Sequence, residues 1–320
     1  MCHDIPAGIL EEKYTQGLYP FGRRKEFRIE ETQYRFLNWQ NIDIFIFFGH
    51  CTVTVPPPSW IEIAHKHGVK ILGTLIFEQW DDQKGIGREA KVMMDGQIVA
   101  QLDLTERKDA PDKNKFYALQ LVRIAKHFGF EGYLMNFEVV MESPVALFQW
   151  LEFLRSELHK AIPGAELMWY DSVLFTDGSL QWQSMLNAEN FKFFLACDSF
   201  FTDYHWELKH LQATMETYQK EIAPKNTPER SLSSYDIYYG NDCYGRGTYA
   251  GGKYNTFEAV NEIIKYPFSV AVFGQAFTYE YEDSFMDRDK YMSNEDRFWL
   301  ARESKLVDAA SSGGLSLGGE

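Results

Sequence analysis

Short runs that are apolar almost throughout recur along the chain, and between them apolar residues fall three and four positions apart. Residues 43–48 read Asp-Ile-Phe-Ile-Phe-Phe, the pattern of a strand covered on both faces. Runs of the same kind at 69–77, 133–138, 166–172, 199–204, 235–242 and 268–273 bring the predicted strands to seven. The intervening segments have helical spacing and helix-ending residues. Ser59, after three prolines, is expected to cap a helix carrying Trp60, Ile63, Ala64 and His67, which Gly68 stops. Leu147, Leu151, Leu154 and Leu158 form one apolar stripe, closed by Pro163 and Gly164.

Strand and helix in alternation imply parallel pairing through right-handed crossovers. His50, Glu78, Glu138, Asp171, Asp203 and Asp242 all fall at or just after the C-terminal ends of the predicted strands, where a (β/α)8 barrel gathers its chemistry. An open doubly wound sheet usually has a Gly-rich nucleotide turn after its first strand, and none follows Phe48. The predicted fold is therefore α/β, an eight-stranded TIM barrel that needs one strand more than the seven counted. Residues 1–304 are expected to form this unit, and 305–320, rich in Gly and Ser, a flexible tail.

Within this pattern one run stands out. Gly132 to Glu138 ends with an amide and an acid two positions apart, so on a strand Asn136 and Glu138 share a face with Leu134, while Tyr133, Met135 and Phe137 take the other. Taken alone, the pair fits a strand end meeting a helix cap as well as it fits a site. Glycosidases usually set two carboxyl groups across the scissile bond; an amide beside a single acid fits the substrate-assisted variant, in which the sugar's own 2-acetamido oxygen is the nucleophile. Glu138 is then the general acid/base and Asn136 the group that orients the acetamide. The reaction needs no metal and no organic cofactor.

Composition narrows the partners. Across 320 residues, 46 Asp and Glu outnumber 32 Lys and Arg, a net charge of −14 that disfavours nucleic acid and anionic membrane surfaces. The first thirty residues contain Asp4, Glu11, Glu12 and Lys13 and no continuous apolar core, so they do not read as a signal peptide, and no Asn-x-Ser/Thr sequon occurs. Cys2, Cys51, Cys197 and Cys243 are widely spaced and read as buried free thiols. These features favour the cytosol. His65 and His67 stand two apart on a predicted helix and make a poor metal pair. Gly245 to Gly252 lacks the Gly-Lys-Ser/Thr of a phosphate loop and reads as a mobile loop over the site, with Arg246 paired to Asp242. His50 suits a substrate contact or a satisfied structural histidine equally.

Cys2-His3-Asp4, Phe47-Phe48-Gly49-His50 with Pro56-Pro57, residues 64–69, Leu72-Gly73-Thr74, Gly132 to Glu138, Trp169-Tyr170-Asp171-Ser172 and residues 201–206 occur in order. Together they resemble the cytosolic endo-β-N-acetylglucosaminidases of glycoside hydrolase family 85, over nearly the whole chain up to Trp299. The resemblance implies a (β/α)8 barrel that cuts the GlcNAc-β1,4-GlcNAc bond of the N-glycan core, acting on free oligosaccharides or glycoproteins. It matches Asn136 and Glu138 to the family's Asn-x-Glu motif and Tyr170 to a tyrosine beside the acetamido group. It also matches Trp182 and Trp206 to aromatic residues lining the glycan cleft. Phe277 stands where relatives often carry a Trp under the reacting sugar. Trp80, Asp171 and Tyr204 complete the expected substrate-binding set. The family's first strand runs into Cys2-His3-Asp4, which makes the seven runs strands two to eight and gives a first strand cut short at Met1. Val139 stands where animal relatives commonly have Asn. The short first strand, and the lack of the β-sandwich modules usual after this barrel, leave a catalytically impaired, glycan-binding barrel as an alternative. A chitinase-like hexosaminidase is a second alternative, although its Asp-x-x-Asp-x-Asp-x-Glu pattern does not occur here.

Overall fold

A computed structural model describes residues 2–4, 34–78, 113–141, 143–281 and 287–300. Its strands are β1 (Cys2–Asp4), β2 (Ile44–Phe48), β3 (Val53–Thr54), β4 (Lys70–Glu78), β5 (Gly132–Glu138), β6 (Glu166–Tyr170), β7 (Ser199–Phe201), β8 (Ile237–Asp242) and β9 (Ser269–Phe273). All but β3 pair in parallel, each with both neighbours, and β3 folds back antiparallel onto β4. The ring closes because β1 pairs with β2 on one side and with β9 on the other, while β2 also pairs with β4. This is the expected (β/α)8 barrel, with the seven predicted runs as its second to eighth strands and a three-residue first strand.

The described helices are α1 (Pro58–Lys66), α2 (Lys113–Phe128), α3 (Pro144–Ala161), α4 (Phe191–Ala196), α5 (Leu208–Thr217), α6 (Thr256–Ile263), α7 (Phe277–Glu280) and α8 (Arg288–Trp299). The Leu stripe of α3 is fully buried, and Ser143 caps that helix by accepting from Ala146 N–H. At α1 the expected cap is corrected: Pro57 occupies the N-cap and Ser59 lies inside the helix, because Pro58 at the first helical turn already fits the helical φ and needs no capped N–H. Gly68 does end the helix, at φ +72°. No described helix is long and apolar enough to cross a membrane.

Period-two alternation sorts the strand residues into two layers. Ile44, Ile46, Phe48, Leu72, Ile76, Leu134, Met168, Tyr170, Phe201, Ala271 and Phe273 fill the barrel interior. Their sequence neighbours, among them Phe45, Phe77, Tyr133, Met135, Phe137 and Trp169, pack outward in the larger core shared with the helices. Cys197 and Cys243 are the buried thiols expected, whereas Cys51 is exposed on the loop after β2. Residues 305–320, the expected tail, lie outside the described residues.

Candidate active site

The two faces of β5 divide as its sequence predicts: Leu134 joins the interior, Tyr133, Met135 and Phe137 join the outer core. Asn136 and Glu138 therefore stand on the interior face at the C-terminal end of the fourth barrel strand. Parallel pairing sets Ile76 of β4 beside Asn136 and Glu78 beside Glu138. On the other side Met135 pairs with Trp169, so in that register Tyr170 is level with Asn136.

The segment after β6 supplies the next contact. Asp171 is fully buried; its carboxylate accepts from Gln183 N–H at 3.1 Å and from Asn190 Nδ2 at 2.9 Å. Ser172 Oγ donates to the Phe137 carbonyl at 2.6 Å, which ties the exit of β6 to β5. The loop so anchored brings Trp182 over the strand end, where its indole Nε1 donates to Glu138 Oε1 at 3.2 Å.

Electrostatics at this point favour a proton on Glu138. Burial, reinforced by the Glu78 carboxylate on the adjacent strand, pushes its pKa up to about 7, against smaller downward pulls from Trp182, Asn136 and His50. The Asn136 amide is near enough to favour the carboxylate, yet by distance and angle it makes no hydrogen bond, and its buried Nδ2 has no partner among the described residues. Tyr170 is held neutral: burial raises its pKa, and the carboxyl groups of Glu138, Asp203 and Asp171 add to the rise. Around Tyr170 an aromatic arc lines the interior, with Tyr204 at 6.2 Å, Phe273 at 5.2 Å from Tyr204, Phe48 at 5.6 Å from Phe273 and His50 at 5.4 Å from Phe48.

Glu138, Asn136, Tyr170, Trp182 and Tyr204 thus come together. Trp182 is 44% exposed, as a platform at a cleft mouth requires. Three other expected substrate contacts are buried and do not join this group. Asp171 is fully buried and anchors the loop through Gln183 and Asn190. Trp206 is buried in the outer core, donating Nε1 to the Gly240 carbonyl at 2.8 Å and stacking on Tyr249; it lies beyond the end of β7 at Phe201, where strand alternation no longer sets which way a side chain faces. Phe277 lies beyond the end of β9 on α7, buried among Tyr254, Tyr281 and Phe298. Trp80 lies outside the described residues. Arg246 makes the expected pair with Asp242, Nε to Oδ2 at 2.7 Å. His65 bonds Glu131 at 2.8 Å while His67 stacks on Trp39, so the two histidines serve separate contacts.

Sequence reasoning placed Glu78 and His50 at strand ends without giving Glu78 a role. The signal was present in β4, where Leu72, Thr74, Ile76 and Glu78 alternate toward one face.

A sequence model described as Glycosyl hydrolase family 85 matches residues 22–316. The cytosolic endo-beta-N-acetylglucosaminidase of Mus musculus is 35% identical over 316 residues, covering 96% of this chain and 36% of that protein. The Homo sapiens protein of the same name is 33% identical over 310 residues, and cytosolic endo-beta-N-acetylglucosaminidase 1 of Arabidopsis thaliana is 32% identical over 305. The chain thus spans 36–39% of the length of these curated relatives. Among solved structures, the glycoside hydrolase domain of Endo-D from Streptococcus pneumoniae R6 superposes with a TM-score of 0.61 at 23% identity, covering 83% of this chain and 39% of that one, a likeness of fold. With its catalytic-face geometry and a family match over most of its length, the chain belongs to glycosyl hydrolase family 85.

Proposed function

We propose that this chain hydrolyses the GlcNAc-β1,4-GlcNAc bond of the N-glycan core, with free oligosaccharides or glycoproteins as substrates and the cytosol as its place of action. The observation that carries the reading is a half-buried Glu138 that bears its proton near neutral pH, beside an Asn136 amide whose donor is unpartnered. The cytosolic location follows the names of the relatives.

In this reaction the 2-acetamido oxygen attacks the anomeric carbon as the glycosidic C–O bond breaks, and Glu138 gives its proton to the departing oxygen. Asn136 holds the acetamide in line, since an amide offers both a donor for its carbonyl and an acceptor for its N–H. The neutral Tyr170 hydroxyl is a second donor toward the same group. Water then attacks the anomeric carbon of the oxazolinium; Glu138, now a carboxylate, takes the water's proton, and the ring reopens with net retention. Intramolecular attack of this kind reaches effective molarities on the order of 10⁵ M, and the acid adds roughly 10²- to 10⁴-fold.

Mass spectrometry of a high-mannose glycopeptide after incubation tests the bond position: the expected product keeps one GlcNAc on the peptide. An intact glycopeptide bound by the protein favours the impaired, glycan-binding alternative, and cleavage of chitin oligomers alone favours the chitinase-like one. The roles separate with a preformed sugar oxazoline. Asn136→Ala is expected to lose natural-glycan hydrolysis by about 10²-fold or more while still using the oxazoline, because alignment is already built into that substrate. Glu138→Gln is expected to be poor with both, and equal losses on the oxazoline contradict the assignment.

A further inference from the structure

We infer that Glu78, anchored by His50, is a positioning residue that keeps Glu138 in its proton-bearing form; the inference rests on the proposed role of Glu138 as acid. The two glutamates are partners in the parallel ladder between β4 and β5, at the last position of each strand. Both follow the interior face of their strands, β4 through Leu72 and Ile76 and β5 through Leu134. Their backbones are therefore about 4.8 Å apart, the spacing of adjacent strands. Two carboxylates so close, out of bulk water, do not both ionise readily.

Their other partners decide which one is charged. Glu78 Oε2 lies 3.1 Å from His50 Nδ1, and the two side chains are 13% and 26% exposed. Glu138 receives a hydrogen bond from Trp182, a neutral indole. Among the described residues Glu138 is hydrogen-bonded only by this neutral donor, whereas Glu78 faces a base, and the proton stays on the carboxyl group without a basic partner. The remaining titratable groups agree. Tyr170 of β6 is neutral; Asp203 and Asp171 bear on Tyr170, and burial raises the pKa of Asp171 itself. Asn136 contributes no charge. The direction of each influence on Glu138 fits: Glu78 raises its pKa, second only to burial, and His50 lowers it.

Glu78 touches neither the reacting bond nor the acetamide in this scheme; it acts through Glu138. The test is a carboxyl NMR titration of the whole chain labelled at the glutamate side-chain carbon, with the Glu138 signal assigned by its loss in Glu138→Gln, alongside the pH profile of kcat/KM. Glu78→Gln is expected to bring the Glu138 midpoint down by about one pH unit, roughly a tenfold loss of proton affinity. The alkaline limb of the profile moves down with it. Glu78→Asp, which keeps the charge, restores most of the midpoint, and His50→Gln moves it the opposite way, upward. If Glu78→Gln does not fold, the upward movement in His50→Gln carries the test. A Glu138 midpoint unchanged in these variants overturns the inference. A wild-type chain that cleaves no glycan refutes the proposed reaction instead, because the titration reads the coupling without activity.

Discussion

Holding a proton on Glu138 near pH 7 has a consequence for stability as well as for catalysis. A carboxyl group titrates near 4.3 in an unfolded chain, whereas in the fold burial and Glu78 bring it to about 7. Between those values the native state binds more protons than the unfolded state, so stability falls as pH rises through this window and levels off above the folded value. Glu138→Gln removes the ionisable group but keeps its shape. It is expected to gain stability over the wild type on going from about pH 5 to about pH 8, by on the order of 2 kcal/mol. Urea unfolding at the two values checks this, and a difference that does not change with pH contradicts it. The pairing of Asn136 with Glu138 was legible in the sequence because a strand's alternation is local. The influence of Glu78 was not, since register between β4 and β5 is set by tertiary pairing. The aromatic residues show the same limit: the family resemblance marks Trp182, Trp206 and Phe277 alike, and only the direction of each side chain separates an exposed indole from two buried rings.

Elements bring these residues into position, and one glycine controls how closely two of them approach. Gly132 opens β5 opposite Glu166 of β6, and a Cβ there would sit 1.9 Å from the Glu166 carbonyl oxygen. Gly132→Ala must push the two strands apart at their base, and is expected to cost about 3 kcal/mol or more. Gly68, at φ +72° with open space around it, offers the comparison: Gly68→Ala is expected to lose only about 1 kcal/mol, the strain of a left-handed alanine. Gly132 is itself at φ +155°, so both variants carry backbone strain; the excess loss of Gly132→Ala over Gly68→Ala in denaturant midpoint reads the close contact, and equal losses contradict it. Strand positions were read from sequence to within a few residues because fully covered strands are nearly continuous apolar runs. The cap at α1 was misread because proline at the first turn and serine both signal a helix start, and here the proline sets it. The anchoring of residues 171–190 through Asp171 and Asn190 was not legible, as it depends on a buried side-chain contact across 19 positions.

At the scale of the whole molecule, distant parts of the chain are joined by a buried polar cluster around Glu295 of α8. Its carboxyl group accepts from Gln275, Thr278 and Asn38, while Tyr34 donates to Gln275 at 2.7 Å. Glu295 is 1% exposed, and burial holds its pKa above the usual range. Glu295→Ala strips partners from several buried polar groups and is expected to cost about 3 kcal/mol. Hydrogen exchange is the discriminating readout: protection is expected to fall in 34–45, 275–281 and 287–300 together, and a loss confined to α8 contradicts a joint role. The barrel itself was legible from the strand and helix rhythm, but its closing strand came only from the family resemblance, because three residues carry too little pattern to announce a strand. Those three residues, β1, also determine how the ring is shut. Apart from the contacts of β1 and β9, neighbours in the ring are strands consecutive along the chain or separated only by the small β3, so they can assemble progressively from either side. Cys2 and Phe273 meet across nearly the entire chain, a pairing whose loop-closure entropy is the largest in the ring. That contact is therefore placed late in folding, and it slows the route by its sequence separation. Until it forms, β9 presents an unpaired edge that the finished barrel lacks, and a second unfinished chain can occupy it.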